Sequence, residues 1–160
     1  PNVGKSTLIS KLTDAKPQIG DYPFTTLIPT LGVMTNNDKT FVVADIPGII
    51  EGASKGKGLE PMFLKHIERT KMLLLLLDLS STNLEDDYST ILNELGSFNE
   101  EIVNKDRVLA LNKTDLVSDY RARKWKKHFM DIGEHVVSIS ALTGRGIEAL
   151  KDALHLKQDV

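Results

Sequence analysis

Pro1-Asn2-Val3-Gly4-Lys5-Ser6-Thr7 opens the chain, and the reading of these seven residues decides the fold. They match the second half of the pattern Gly-x-x-x-x-Gly-Lys-Ser/Thr, a loop whose backbone amides and lysine cradle phosphate oxygens at a helix N-terminus. The first glycine of that pattern would lie two residues before Pro1, so the strand that feeds the loop is expected upstream. Gly4 lets the backbone approach phosphate oxygens closely. Lys5 would set a point charge against the β- and γ-phosphates, and the Ser6 hydroxyl would ligate Mg²⁺. A Gly-Lys-Ser run also opens ordinary helices by chance, so the motif has to be weighed with what surrounds it.

Outward from the loop, apolar runs alternate with helical spacing. Leu31 to Met34, Phe41 to Ala44, Met72 to Leu77, Val108 to Leu111 and Val136 to Ile139 read as strands. Lys5 to Leu12, Pro61 to Thr70, Leu84 to Phe98, Tyr120 to Met130 and Ile147 to Leu156 read as helices. Asp119 is the expected N-cap of the fourth helix, and Glu85-Asp86-Asp87 the charged first turn of the third. Strand–helix alternation implies an α/β domain: a P-loop nucleotide-binding fold with a mostly parallel sheet, helices on both faces and its first strand missing from this chain. Residues 1–160 make one domain of ordinary size. Two long connections, Asp14 to Thr30 and Ile46 to Glu60, have the length of functional loops.

Composition sets bounds. Twenty basic and 22 acidic residues leave a net charge of −2, and 41% of residues are apolar. That balance excludes a strongly basic nucleic-acid-binding domain, although it does not exclude a local basic patch. The absence of cysteine rules out a disulfide scaffold and suits a reducing compartment. The run Met72 to Leu77 is far shorter than the ~20 residues that cross a bilayer, and no secretory leader opens the chain. A cytoplasmic monomer that does not engage membranes is expected.

Three further motifs leave strand ends. Asp45-Ile46-Pro47-Gly48 follows the second strand. There the Asp45 carboxylate can hold Mg²⁺ through water and the Gly48 amide can meet a γ-phosphate. Thr25 and Thr26, in the first long loop, each offer a hydroxyl to Mg²⁺. Asn112-Lys113-Thr114-Asp115 follows the fourth strand, and Ser140-Ala141-Leu142 the fifth. Guanine presents N1–H and N2–H to a carboxylate such as Asp115, whereas adenine would leave that carboxylate unpaired at a cost. The Lys113 stem can cover one face of the base, and the Ala141 amide can bond O6. The four motifs in this order point to GTP and GDP. The expected nucleotide contacts are Asn2, Val3, Gly4, Lys5, Ser6, Thr7, Asp45, Gly48, Asn112, Lys113, Asp115, Leu116, Ser140, Ala141 and Leu142.

Together, the opening loop, Phe24-Thr25-Thr26-Leu27-Ile28-Pro29, Asp45-Ile46-Pro47-Gly48-Ile49-Ile50-Glu51-Gly52-Ala53 and His66-Ile67-Glu68-Arg69-Thr70 resemble the Obg family of GTPases over essentially the whole chain. The pattern departs from the family at Glu60, where a small residue is usual, and at Thr30, where Asn is usual. The resemblance implies a G domain that hydrolyses GTP slowly as a conformational switch. It makes Thr26 the switch threonine, so that Ser6, Thr26 and Asp45 form the Mg²⁺ set. It implies that the large ribosomal subunit, during assembly, is the partner and that guanosine tetraphosphate (ppGpp) competes for the site. The expected catalytic residues are Lys5, Thr26, Gly48 and Asn2. Ile49 stands where Ras-like enzymes orient water with Gln. Similar GTPases with Asn at the Asn2 position hold K⁺ there, and K⁺ would supply the missing charge. The alternative is a sensor of GDP, GTP or ppGpp in which hydrolysis is incidental.

Overall fold

The computed structural model describes residues 3–14, 18–19, 30–45 and 68–158. Its strands are β1 (Gln18–Ile19), β2 (Thr30–Asn36), β3 (Lys39–Ala44), β4 (Leu73–Asp78), β5 (Arg107–Asn112) and β6 (Val136–Ser138). The helices are α1 (Lys5–Leu12), α2 (Leu84–Phe98), α3 (Glu100–Val103), α4 (Asp119–Asp131) and α5 (Ile147–Gln158), with a 3₁₀ turn at Thr114–Leu116.

β4, β5 and β6 form a parallel sheet in that order, and β1, β2 and β3 form an antiparallel one. β5 is the middle strand of the parallel sheet and is covered on both faces, which follows from its unbroken apolar run. Leu109 and Leu111 turn toward the core with α2 and α4, containing Leu84, Tyr88, Leu95 and Phe129. Val108 and Ala110 turn the other way, toward Leu8 and Leu12 of α1 and Leu150 and Leu154 of α5. The period of two along one strand thus divides two cores. Met34 and Phe41 of the antiparallel sheet join the α1–α5 core.

β2 and β3 are joined by Asn37 and Asp38, with φ of 48° and 61°, and Asn36 pairs with Lys39 across the turn. Two successive left-handed residues make the type I′ connection whose twist matches paired strands. α1 ends against β2 at close range. A Cβ on Gly32 would stand 2.1 Å from Thr13 Cγ2, and Asp14 Oδ2 accepts from the Thr35 amide at 2.8 Å. Thr30, one of the departures from the family pattern, pairs with Ile19 in the β1–β2 ladder.

The N-cap of α4 is Ser118, whose hydroxyl accepts from the Arg121 amide. The expectation of Asp119 is corrected by one position, because Ser118 has the extended backbone a cap needs. Glu85, Asp86 and Asp87 do occupy the first turn of α2. Trp125 stacks on Phe129 at 5.7 Å. The helix read over Pro61 to Thr70 lies outside the described residues as far as position 67. Beyond it, Lys105 Nζ donates to the carbonyls of Glu68 at 2.8 Å and Thr70 at 2.7 Å, fixing the chain as it enters β4.

At the far end of the parallel sheet from the strand-end motifs, Glu134 is held on three sides. Arg107 Nε donates to its two oxygens at 2.8 and 3.0 Å. Arg107 also pairs with it through Nη2 at 2.5 Å, and Tyr88 Oη donates to Oε1 at 2.5 Å. Burial, then the Glu134 carboxylate, pushes the Tyr88 phenol up from 10.0 to about 12. Burial also pushes the Glu134 carboxyl up, but hydrogen bonds from Arg107 and Tyr88 outweigh it and hold it below its ordinary 4.5.

A carboxyl whose folded pKa is depressed stabilises the fold above its unfolded value and loses that contribution as pH falls. Urea melts of the unaltered protein should therefore lose stability below about pH 4.5, and Glu134→Gln should flatten that slope. At pH 7, Glu134→Ala should cost about 3 kcal/mol by leaving Arg107 with an uncompensated, partly buried charge.

Candidate functional site

The polar strand ends gather along one edge of the parallel sheet because parallel strands all deliver their C-termini to the same side. Asp78, the last residue of β4, is level with Asn112, the last of β5, and Ser140 lies just beyond β6.

Asn112 is the centre of this edge and is 2% exposed. Its Nδ2 donates to the Val3 carbonyl at 2.7 Å, and its Oδ1 accepts from the Ala141 amide at 2.9 Å. One side chain therefore ties the phosphate loop to the turn after β6. Its two capacities are filled from segments 109 and 29 residues away. Gly4 fits against it in the left-handed region, with φ 94°. A Cβ there would lie 2.6 Å from Asn112 Nδ2, so glycine is required both for the backbone angle and for the space.

Gly4 is the N-cap of α1 and provides no capping side chain. The first turn of that helix contains no acidic residue, and its leading amides have no intrahelical acceptor. Amides at a helix N-terminus and the positive end of the helix dipole are what a phosphate group requires. Lys5 Nζ sits 2.8 Å from Asp45 Oδ1. That oxygen is buried and has no hydrogen-bond partner among the described residues. The ammonium of Lys5 is therefore the charge that answers this buried oxygen. Ser6 and Thr7 are exposed on the first turn of α1.

On the opposite side of Asn112, Lys113 adopts the left-handed conformation, φ 67°, and its Nζ pairs with Asp78 Oδ2 at 2.5 Å. Asp78 Oδ1 accepts from the Ser80 amide at 2.8 Å and the Ser80 hydroxyl at 2.6 Å. Burial raises the Asp78 carboxyl, yet the bonds from Lys113 and Ser80 prevail and hold it below its usual range. The stem of Lys113 is thereby fixed along the edge of the site. Asp115 Oδ1 accepts from Ser140 Oγ at 2.5 Å, and Ser140, fully buried, itself accepts from the Thr143 amide at 3.1 Å. Leu116 and Leu142 are 63% and 73% exposed, large apolar side chains held in solvent.

Val3, Gly4, Lys5, Ser6, Thr7, Asp45, Asn112, Lys113, Asp115, Leu116, Ser140, Ala141 and Leu142 all lie within the described residues. Asn2, Thr25, Thr26, Gly48 and Glu60 lie outside them. One expected contact is already occupied: the Ala141 amide, assigned on the sequence to guanine O6, donates to Asn112 Oδ1. Asp78 closes the apolar run Met72 to Leu77 as a polar strand end, but its pairing with Lys113 is visible only in the fold. A lone Asp at a strand end carries no signal of a lysine 35 residues later.

Among solved structures, the G domain of the FeoB iron transporter of T. maritima superposes with a TM-score of 0.70 at 26% identity, over 99% of this chain and 93% of that one. The fold, the opening loop and the three strand-end motifs are those of a P-loop GTPase G domain. The family described as 50S ribosome-binding GTPase matches residues 1–113. GTPase Obg of Pelodictyon phaeoclathratiforme is 49% identical over 155 residues, covering 96% of this chain and 45% of that protein. GTPase Obg of Bacteroides fragilis is also 49% identical, over 96% of this chain and 40% of that protein. The chain belongs to the Obg family of GTPases, and it spans less than half the length of these relatives.

Asn112→Ala should leave the Val3 carbonyl and the buried Ala141 amide without partners. Each orphaned group costs ~1–3 kcal/mol, so nucleotide-free protein should lose about 3 kcal/mol in urea melts. Binding of a fluorescent GDP analogue should weaken at least ~10-fold in parallel, a 1.4 kcal/mol change.

Proposed function

We propose that the chain binds GTP and GDP with Mg²⁺ and hydrolyses GTP as a slow conformational switch acting on the large ribosomal subunit during its assembly. The observation that carries this reading is the Asn112 bridge. It brings phosphate-binding amides, the Lys5 charge and the Asp115 carboxylate to one edge of the sheet. The descriptions of the matching family and of the Obg relatives support the ribosomal partner.

The residues present fit Mg²⁺. Asp45 Oδ1 is buried and is answered by the Lys5 ammonium at 2.8 Å, so once Lys5 turned to phosphate the carboxylate would need another cation or its water. The oxygen set of Ser6, Thr26 and Asp45 suits a hard divalent cation. When bound, Mg²⁺ would neutralise charge developing on the β- and γ-phosphates. Lys5 would exchange Asp45 for those same phosphates, and the α1 amides would orient them. Gly48 would donate its amide to the γ-phosphate, and Thr26 would follow that phosphate inward, coupling the first long loop to nucleotide state. Asp115 would read guanine through its N1–H and N2–H, with the Lys113 stem, Leu116 and Leu142 against the base. Ile49 offers no group to orient water, so Asn2 is assigned to hold K⁺, which would supply charge as phosphoryl transfer proceeds. The same guanine contacts would admit ppGpp. None of the described helices is long and apolar enough to cross a membrane; that the switch is cytoplasmic and monomeric is part of the proposal.

The test is phosphate release from GTP with Mg²⁺, in matched K⁺ and Na⁺ buffers. K⁺ should stimulate turnover of the unaltered protein but not of Asn2→Ala. Lys5→Ala should lower turnover at least ~100-fold, within the range for removing one preorganised charge-stabilising donor. Tight GDP binding with equal, negligible turnover in both salts would instead mark a nucleotide sensor.

A further inference from the structure

The chain is slightly acidic overall, yet α4 is not. Five of its thirteen residues are Arg or Lys: Arg121, Arg123, Lys124, Lys126 and Lys127, against Asp119 and Asp131. Both acids are answered, Asp131 by Lys127 at 3.0 Å and Asp119 by Arg145 at 3.9 Å. Arg121 is spent on the carbonyls of Leu79 and Ser81. Arg123, Lys124 and Lys126 are exposed and make no hydrogen bond or ion pair among the described residues.

The arrangement works against the helix that carries it. Arg123 is three residues from Lys126 and four from Lys127, and Lys124 is three from Lys127. Like charges at these spacings repel by ~0.2–0.5 kcal/mol a pair. Tyr120, on the same face one turn earlier, is 71% exposed. An external polyanion relieves this repulsion, and an aromatic ring among cations fits nucleobases as well as phosphates. A lipid surface fits poorly, because most of the apolar side of α4 is committed, with Phe129 0% exposed and Trp125 stacked on it; Met130, 54% exposed, leaves too little apolar area for insertion. Acidic neighbours do exist, but the first turn of α2 meets α4 on its His128 flank, through Glu85 at 2.5 Å.

We propose that the outer face of α4, carried by Tyr120, Arg123, Lys124 and Lys126, docks on the phosphate backbone and unstacked bases of ribosomal RNA. The inference rests on the ribosomal reading above and names the surface that would make the contact.

The test uses the full natural protein and protein-free large-subunit ribosomal RNA, titrated by filter binding over a series of salt concentrations. The Arg123→Gln/Lys124→Gln/Lys126→Gln variant should bind RNA at least ~10-fold more weakly, and its log–log salt slope should be shallower by about 2–3, one counterion per lost phosphate contact. Tyr120→Ser should weaken binding about fivefold or more with its salt slope unchanged, as expected for a lost stacking contact. Affinity for a fluorescent GDP analogue should stay the same in both variants. Unchanged RNA affinity and slope in the triple variant would overturn the proposal. So would unchanged RNA binding with lost binding to intact subunits, which would assign the face to an acidic protein. If the unaltered protein bound neither subunits nor RNA, the ribosomal reading itself would fall.

Discussion

One buried side-chain amide organises the functional edge of this domain. Asn112 donates to the phosphate loop at Val3 and accepts from Ala141 in the turn after β6. In a low-dielectric setting each bond is strengthened, and each partner would be expensive to leave unpaired. Three segments far apart in the chain therefore have one low-energy arrangement. The same packing explains why position 4 must be glycine, since a Cβ there would overlap the Asn112 amide.

From that bridge the chemistry divides in two directions. On the side proposed for phosphate, a helix N-terminus without acidic residues stands beside the Lys5–Asp45 ion pair, whose two members suit an anion and a hard cation once they part. On the base side, Lys113 and Asp115 are each held by a neighbour from another strand end, Asp78 and Ser140. Side chains locked by such partners lose little further entropy when a ligand arrives, the general advantage of preorganisation. The Arg107–Glu134–Tyr88 cluster belongs to the other end of the sheet and to stability alone.

Much of the fold was legible because its signals are local. The apolar run of β5 and the helical spacing of α1, α2, α4 and α5 place those elements within a residue or two. The strand ends Asp45, Asn112 and Ser140 stood out as polar residues closing apolar runs. What was not legible depended on distance or brevity. β1 is two residues long and α3 four, too short for any periodicity to register. The cap of α4 fell between Ser118 and Asp119, adjacent residues with equal propensity to cap, so only the backbone conformation decides. The alternation of strands and helices implies parallel pairing and does not give the antiparallel β2–β3 pair, although Asn37-Asp38 has the composition of a tight hairpin turn. On the sequence Asn112 is one of the expected nucleotide contacts. Its role as a bridge emerges only when the fold carries Val3 and Ala141 to it, and Asp78 became part of the site in the same way.

The central claim is that the edge built around Asn112 reads guanine through the Asp115 carboxylate. The most direct measurement is a pair of binding titrations, with GDP and with xanthosine diphosphate, on the unaltered protein and on Asp115→Asn. Xanthine carries a carbonyl where guanine carries its amino group, so an amide at position 115 can donate where the carboxylate could only accept. The account predicts that the unaltered protein prefers GDP and that Asp115→Asn reverses the preference, with each phosphate contact retained. Equal loss of both ligands in the variant, or a GDP preference that survives it, would contradict the account.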